Sequence, residues 1–316
     1  MTDENLAPIC LFTYNRLEET KQTVEALQKN YLATESDLFI FSDGPKNDLV
    51  KDKVNAVREF LKTVNGFKSI NVFESKFNKG LANSIIDGVS QIINEFGKVI
   101  VLEDDLVTTP NFLDFMNQGL EHFKNNERIY SISGFVPLIK NPHDFDFFLH
   151  ERSYPWGWAT WGQEWSQVIF DKKKLSNIIK KDPKVLNEFS SKCGKDASKM
   201  LINSIDSINN SWYIRWVFSN FINNKLSVFP IKSLVSNEGF NSLKSTHCEG
   251  LSAYEYNLYN GSKRDFQFVL NKKNTDRDFL KYFTISHKVS FRLKLLFKKN
   301  GINMLLNELK NKLPNK

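Results

Sequence analysis

The chain has 316 residues, of which 41% are hydrophobic and 25% charged, and this composition excludes a disordered or fibrous protein. Cys10, Cys193 and Cys248 lie far apart in the sequence, which excludes a disulfide framework and a cysteine-rich zinc site and favours a reducing compartment. The polar first residues and the lack of a long apolar run predict a cytoplasmic protein without a membrane span.

The positive net charge of +7 is confined to one end of the chain. Residues 286–316 hold eight lysines and arginines against one acid, Glu308, so the remainder of the chain is neutral. This distribution excludes a nucleic-acid-binding surface that extends over the whole protein.

Strand and helix patterns alternate over the first 110 residues. Apolar runs predict strands at 8–13, 37–42, 69–74 and 98–102, and helical spacing of apolar residues predicts helices at 17–29, 50–64 and 80–96. Because each strand is almost wholly apolar, we expect a parallel sheet that is covered by helices on both faces.

The second half of the chain has a different character. The pattern predicts a helix at 111–124, a strand at 129–134, an aromatic-rich stretch at 141–165, helices within 171–225, extended chain at 226–235 and a loop at 236–262. No internal repeat is visible.

Polar residues follow each of the first four predicted strands, at 13–16, 42–44, 77–80 and 103–105. The carboxyl ends of parallel strands share one edge of a sheet, and ligands bind there. We therefore expect these four segments to lie together and to form the functional site.

Glu103, Asp104 and Asp105 are three adjacent carboxylates, whose mutual repulsion destabilises the chain unless a cation or hydrogen bonds offset it. Mg²⁺ and Mn²⁺ are bound by one or two carboxylates together with substrate phosphates. The alternative is a solvated turn or a helix cap, and the position after a buried strand favours the metal site.

The ordered set of motifs resembles the GT-A glycosyltransferases. These motifs are T-Y-N-R at 13–16, S-D-G at 42–44, N-K-G-L-A-N-S-I at 78–85 and E-D-D at 103–105. W-G-W-A-T-W at 156–161, S-W-Y-I-R-W at 211–216 and the S-N-E-G-F and T-H-C segments within 236–248 are similar to bacterial family-2-like sugar transferases related to the N-acetylglucosaminyltransferase I group. The resemblance covers roughly residues 6–250.

That resemblance implies a nucleotide-sugar site and a metal site. It assigns the base and ribose to the loop with Thr13, Asn15 and Arg16, the uracil N3–H to Asp43, a nucleotide contact to Lys79, and the ribose and sugar to Glu103 and Asp104. It also implies Mn²⁺ or Mg²⁺ bound by Asp105 and, as a second ligand or diphosphate contact, His247. The residues alone leave simpler alternatives: a turn aspartate at 43, a solvated Lys79 and a solvated loop histidine at 247.

The same resemblance implies that three tryptophans and an arginine contact the sugar or the acceptor. The residues concerned are Trp156, Trp158, Trp212 and Arg215, although packing in the core is the usual fate of tryptophan.

The catalytic base is less well defined by the motifs. An aspartate of the related group is replaced here by Tyr213, and a tyrosine with a pKa near 10 is a poor base. The carboxylates that could replace it are Glu238, Glu164 and Asp206, with Glu238 preferred because it lies in a matched motif.

Apolar residues in 286–316 recur at helical spacing, with a break at residues 300–301. Two basic amphipathic helices predict either a membrane-surface anchor or a pair of helices docked on the domain or on a second subunit.

These observations together predict an α/β protein of the GT-A class: a Rossmann-like, mostly parallel sheet with flanking helices, followed by basic C-terminal helices. We expect a nucleotide-binding half at 1–110, an acceptor-binding half at 111–262, and a linker and tail at 263–316. The expected activity is inverting, metal-dependent transfer of a sugar from a UDP-sugar to a hydroxyl of a glycan or lipid-linked glycan acceptor. The alternatives are a non-catalytic carbohydrate-binding protein and, less favoured, a sugar nucleotidyltransferase, which would normally have a glycine-rich loop after the first strand.

Overall fold

The computed structural model describes residues 6–139, 145–239, 254–263, 265–268 and 276–296. Within these ranges the strands are β1 Ile9–Thr13, β2 Asp37–Ser42, β3 Ser69–Glu74, β4 Lys98–Glu103, β5 Leu106–Thr108, β6 Ile129–Ser133, β7 Phe147–His150, β8 Trp158–Trp161, β9 Leu226–Pro230 and β10 Val235–Asn237. The helices are α1 Leu17–Gln28, α2 Asp48–Leu61, α3 Leu81–Phe96, α4 Phe112–Phe123, α5 Gly162–Ser166, α6 Lys172–Lys181, α7 Lys184–Cys193, α8 Ala197–Ile205, α9 Trp212–Ile222, α10 Asp276–Leu280 and α11 Ile285–Leu296.

Eight strands form one central sheet in the order β3-β2-β1-β4-β8-β6-β9-β7. Parallel pairing joins the first four strands, and β6 also runs parallel to β9. The antiparallel strands β8 and β7 run against the other six. The predicted α/β class, with a mostly parallel, Rossmann-like sheet between helices, is confirmed.

Each face of the sheet carries its own hydrophobic core, because successive residues of a strand point to opposite faces. Ile9 and Leu11 of β1 belong to the core beneath α1, α2 and α4, whereas Cys10 and Phe12 belong to the core beneath α3 and α9. The alternation along β1 therefore supplies both cores from one buried strand.

The expectation that every parallel strand is covered on both faces is wrong for β3. This strand lies at the edge of the sheet, and the side chains from Asn71 to Glu74 are exposed. Val72 and Phe73 each keep 38% of their surface accessible. An edge strand has a neighbour on one side only, so helices cover it less completely than the central strands.

The division of the chain at residue 262 stays a prediction. Phe266, Phe279 and Phe283, which follow that position, are buried in the same core as α1 and α4. The described part of the segment after 262 thus packs against the part before it.

The predicted basic tail is described only as far as α11. Val289 and Leu293 lie one helical turn apart and are 49% and 54% exposed. The second predicted tail helix lies outside the described residues. Among the helices that are described, none combines the length and the apolar character needed to cross a membrane.

Candidate active site at the carboxyl edge of the sheet

The sheet register aligns the carboxyl ends of the first four strands. Thr13 pairs with Ser42, Ser42 pairs with Glu74, and Phe12 pairs with Glu103. The predicted gathering of the four polar segments at one edge is confirmed.

Arg16 connects the segment after β1 to the acidic cluster, defined as Glu103, Asp104 and Asp105. Its Nη1 donates to Oδ2 of Asp105 at 3.0 Å, and its Nη2 forms a close ion pair with Oδ1 of Asp104. The backbone N–H of Tyr14 donates to the other oxygen of Asp104 at 3.3 Å. One guanidinium therefore bridges two carboxylates, an arrangement that charge-assisted hydrogen bonds make strong.

Arg16 compensates the acidic groups of the cluster only in part. Burial and the neighbouring Asp105 and Asp104 carboxylates raise the pKa of Glu103 to about 8. Burial also raises the pKa of Asp104 to about 6, although Arg16 opposes that shift. Burial alone would lower the pKa of Arg16, but the two carboxylates raise it above its ordinary value. The cluster thus has three acidic groups for one guanidinium, and a further cation would favour their ionised forms.

The acidic cluster fits a divalent cation that is shared with a substrate. Asp105 offers a carboxylate with 13% of its side-chain surface accessible. Among the described residues, no three acids, histidines or cysteines are arranged to surround one ion. A site built from one or two carboxylates and substrate phosphates is the usual form for Mg²⁺. Asp105 is thus suited to be one ligand of such an ion.

A second, small sheet completes the surroundings of Asp105. Strands β5 and β10 pair antiparallel, with Leu106 opposite Asn237. The pairing continues as the backbone N–H of Glu238 donates to the carbonyl of Asp105 at 2.9 Å. Of the three candidate bases, Glu238 is therefore the one that lies beside the acidic cluster.

Gly239 is a site residue that the sequence analysis missed. A Cβ atom built at this position would lie 2.2 Å from Oδ2 of Asp105, so any side chain would displace the carboxylate. The glycine of the S-N-E-G-F motif was visible in the sequence. Its contact with Asp105 was not, because the two residues are 134 positions apart.

Asp43 holds the segment before α3 in place. Its Oδ1 accepts from the backbone N–H groups of Gly44 and Lys79, both at 2.8 Å, and its Oδ2 accepts from Gly80 N–H at 2.9 Å and Asn78 Nδ2 at 3.0 Å. Four donors occupy the usual acceptor sites of a carboxylate. The predicted contact of Asp43 with uracil stays a prediction, and it would compete with these bonds.

Arg58 of α2 is a second residue that the sequence analysis missed. It donates to Ser42 Oγ at 3.2 Å and to the carbonyl of Ser75 at 2.7 Å, and it pairs with Glu74 at 3.4 Å. These contacts tie together the carboxyl ends of β2 and β3. The signal was a single arginine between the apolar residues of the inward face of α2.

A cleft of about 150 Å³ opens between α3 and the ends of β2 and β3. Phe41 and Phe73 lie on one side with stacked rings, and Lys79 and Asp87 form an ion pair at 2.9 Å on the other. Lys79 thus lines this cleft, and its charge is paired there with that of Asp87. Of the other predicted nucleotide contacts, Thr13 is buried and Asn15 is half-buried in the same turn as Arg16.

The residues predicted to contact the acceptor are divided between two environments. Trp156 is partly buried beside the rings of Phe135 and Tyr254. Trp158 and Trp212 are buried with Trp216 in the core beneath α3 and α9, so other aromatic rings occupy the space around them.

Arg215, a predicted contact of the acceptor or the sugar, is engaged by groups of the protein itself. It is buried, and it donates to the carbonyls of Ser211 and Phe170 and to the side chain of Asn210. These bonds fix the start of α9, which accounts for an arginine in this buried helix.

The structure separates the other two candidate bases from the acidic cluster. Glu164 follows β8, whose last residue pairs with Lys98 at the start of β4, so Glu164 lies at the opposite, amino edge of the sheet. It is buried there in an ion pair with Lys225. Asp206 is exposed at the end of α8, and none of its described contacts joins it to the cluster. His247 lies outside the described residues.

Tyr213, at the position where the related group has an aspartate, belongs to a buried polar network. Its hydroxyl donates to the carbonyl of Ser153 at 2.8 Å and accepts from Nε of Arg152 at 3.1 Å. Arg152 in turn pairs with Asp196 at 2.8 Å and donates to the carbonyl of Cys193. Burial raises the pKa of Tyr213, which removes it further from the range of a base.

Comparison with known proteins finds distant likenesses among solved structures. No protein-family model matches the chain, and no curated protein matches it. One similar solved structure is the mannosyltransferase PcManGT from Pyrobaculum calidifontis in complex with GDP-Man and Mn²⁺, with 9% identity and a TM-score of 0.34 over 51% of this chain and 46% of that one. Another is S. aureus TarS, with 11% identity and a TM-score of 0.30 over 42% of this chain and 22% of that one. The match spans less than half the length of either protein, and at these scores it identifies neither family nor activity.

Replacing Tyr213 by Phe is expected to lower the free energy of unfolding by about 1–3 kcal/mol, because the carbonyl of Ser153 and Nε of Arg152 would lose a buried partner. Urea unfolding measures this change. Tyr31→Phe, at a residue that is 42% exposed, is the matched control and should differ little from the wild type. A Tyr213→Phe variant as stable as the wild type would show that the network is not structural.

Proposed function

We propose that this chain is a metal-dependent, inverting glycosyltransferase that moves a sugar from a UDP-sugar to a hydroxyl of a glycan acceptor. The proposal depends on one observation. The acidic cluster, Arg16 and an aromatic-lined cleft all lie at the same edge of a parallel sheet. The ordered motifs that resemble the GT-A enzymes support the choice of reaction.

The distance between the acidic cluster and the cleft suits a nucleoside diphosphate. Such a donor has a flat base at one end and a doubly charged diphosphate at the other, with a ribose between them. The acidic cluster follows β4, and the cleft lies two to three strands away at the ends of β2 and β3, which corresponds to about 10–15 Å. We propose that the base enters the cleft and that the diphosphate lies near Arg16.

Asp105 is proposed to hold Mn²⁺ or Mg²⁺, and His247 is the proposed second ligand or diphosphate contact. When bound, the cation would supply the positive charge that a departing nucleoside diphosphate requires. Arg16 contributes a second positive charge at the same place, and Glu103 and Asp104 are proposed to orient the ribose and the donor sugar.

Glu238 is the proposed base that takes the proton from the acceptor hydroxyl. Its backbone bonds to Asp105, and its Oε1 accepts from Ser236 Oγ at 3.1 Å. Trp156 packs against Phe135, and Phe135 also packs against Tyr256, whose pKa is raised first by burial and then by the charge of Glu238. This aromatic group would offer the acceptor sugar an apolar surface beside the base.

The acceptor is proposed to be a glycan, including glycans linked to lipids at a membrane surface. Val289 and Leu293 form an exposed apolar stripe on α11, in a segment that carries the net positive charge of the chain. A basic amphipathic helix of this kind binds anionic bilayers.

We expect the protein to sediment with vesicles that contain anionic phospholipid and not with neutral vesicles, because the lysines of the tail and the α11 stripe act together. A Val289→Asp, Leu293→Asp variant should lose at least half of this binding. Equal binding to neutral and anionic vesicles, or an unchanged double variant, would contradict the proposed membrane contact.

UDP in the presence of Mn²⁺ is expected to bind the wild type, and Asp105→Asn is expected to weaken that binding at least tenfold because it removes a charged ligand of the cation. Calorimetric titration of UDP, GDP, TDP and CMP with Mn²⁺, with Mg²⁺ and with a chelator measures both effects. Glu121→Gln, at an exposed acid of α4, is the matched control and should bind like the wild type. If no nucleotide binds with either metal, the proposed function fails.

A further inference from the structure

We infer that Arg16 makes metal binding depend on the nucleotide: its guanidinium occupies an oxygen of Asp105, the carboxylate that would hold the cation, and it moves to the nucleotide diphosphate when that ligand enters. This inference rests on the proposed function, because it requires a diphosphate at the carboxyl edge. It assigns Arg16 a role in the order of binding in addition to contact with the donor.

Arg16 and a cation bound at Asp105 compete for one carboxylate oxygen, Oδ2. Oδ2 of Asp105 receives Arg16 Nη1 at 3.0 Å on one side, and the backbone at Gly239 closes another side. Both oxygens of Asp104 are also engaged, one by Arg16 and the other by the backbone of Tyr14. A divalent ion at Asp105 would therefore displace Arg16 or lie against its positive charge, and like charges at short range repel.

The guanidinium can move while its backbone stays fixed. The carbonyl of Arg16 accepts from the backbone N–H of Thr20 at 3.0 Å and from its hydroxyl at 2.6 Å, at the start of α1. The side chain keeps 25% of its surface accessible, so it is not enclosed by packed neighbours. A rotation about the side-chain bonds is sufficient to transfer it from Asp105 to a neighbouring anion.

The position of Arg16 favours an anionic partner of the size of a diphosphate. It immediately precedes α1, where the helix macrodipole places partial positive charge and disfavours a cation without a counter-charge. A diphosphate beside this helix start would satisfy both the guanidinium and the helix end. Asp105 would then be free to bind the metal, so nucleotide and metal should each strengthen the binding of the other, as reciprocal coupling requires.

The test measures Mn²⁺ binding directly, from the spin-resonance signal of the free ion, without and with UDP. In the wild type we expect UDP to raise the Mn²⁺ affinity about tenfold, which lies within the usual range of such coupling. In Arg16→Gln we expect Mn²⁺ alone to bind several-fold tighter than in the wild type, because its competitor is gone. The same variant should bind UDP more weakly in saturating Mn²⁺.

Two further variants separate competition from loss of structure. Arg16→Lys keeps the charge but loses the two-pronged contact, so its Mn²⁺ affinity should lie between those of the wild type and Arg16→Gln. Arg128→Gln, at an exposed arginine, should behave as the wild type. Thermal unfolding establishes that each variant is folded before it is titrated.

The outcomes distinguish a failure of the inference about Arg16 from a failure of the proposed function. If the wild type binds UDP with Mn²⁺ but Arg16→Gln binds Mn²⁺ alone no tighter than the wild type, the inference about Arg16 is overturned and the proposed function stands. If the wild type binds no nucleotide with any metal, both fail. Opposite shifts of Mn²⁺ and UDP affinity in Arg16→Gln establish the inference.

Discussion

The charge balance at the end of β4 is the constraint on which the rest of the site depends. A buried strand that ends in Glu103, Asp104 and Asp105 concentrates negative charge where water is scarce, and the raised pKa of Glu103, caused by burial and its two neighbours, reflects that cost. Arg16 offsets part of it, and in doing so ties the segment after β1 to the segment after β4. A site that is compensated only in part is also a site that attracts a further cation.

The surrounding structure keeps this charge at an open edge. Asp43 orders the start of α3 through four hydrogen bonds, and Arg58 joins the ends of β2 and β3, so these bonds hold the walls of the cleft between α3 and the two strand ends. The β5–β10 pair brings Glu238 and Gly239 to Asp105 from the second half of the chain. Both halves therefore contribute to one site, which the proposed transfer between two substrates requires.

The sequence predicted the parallel strands and the edge where their polar ends meet, because apolar runs and helical spacing are local signals. It could not predict β5 and β10, since strands of three residues carry little pattern and their pairing joins positions about 130 residues apart. Trp158 was chosen from motif likeness and Glu164 as a carboxylate that could replace the missing base. The reversed direction of β8 places Glu164 at the other edge, and strand alternation turns Trp158 into the core. Both outcomes depend on strand direction and register, which no short motif encodes.

The most direct test of the central claim is a turnover assay with nucleotide sugars. The protein would be incubated with Mn²⁺ and a panel of UDP-, GDP- and TDP-sugars, and water would serve as the acceptor where no glycan is added. The released nucleoside diphosphate would be measured for the wild type, Asp105→Asn and Glu238→Gln. The account predicts slow release from at least one UDP-sugar, lost in Asp105→Asn and strongly reduced in Glu238→Gln. Tight binding of the nucleotide without release from any donor, even with glycan acceptors added, would contradict it and would indicate a carbohydrate-binding protein.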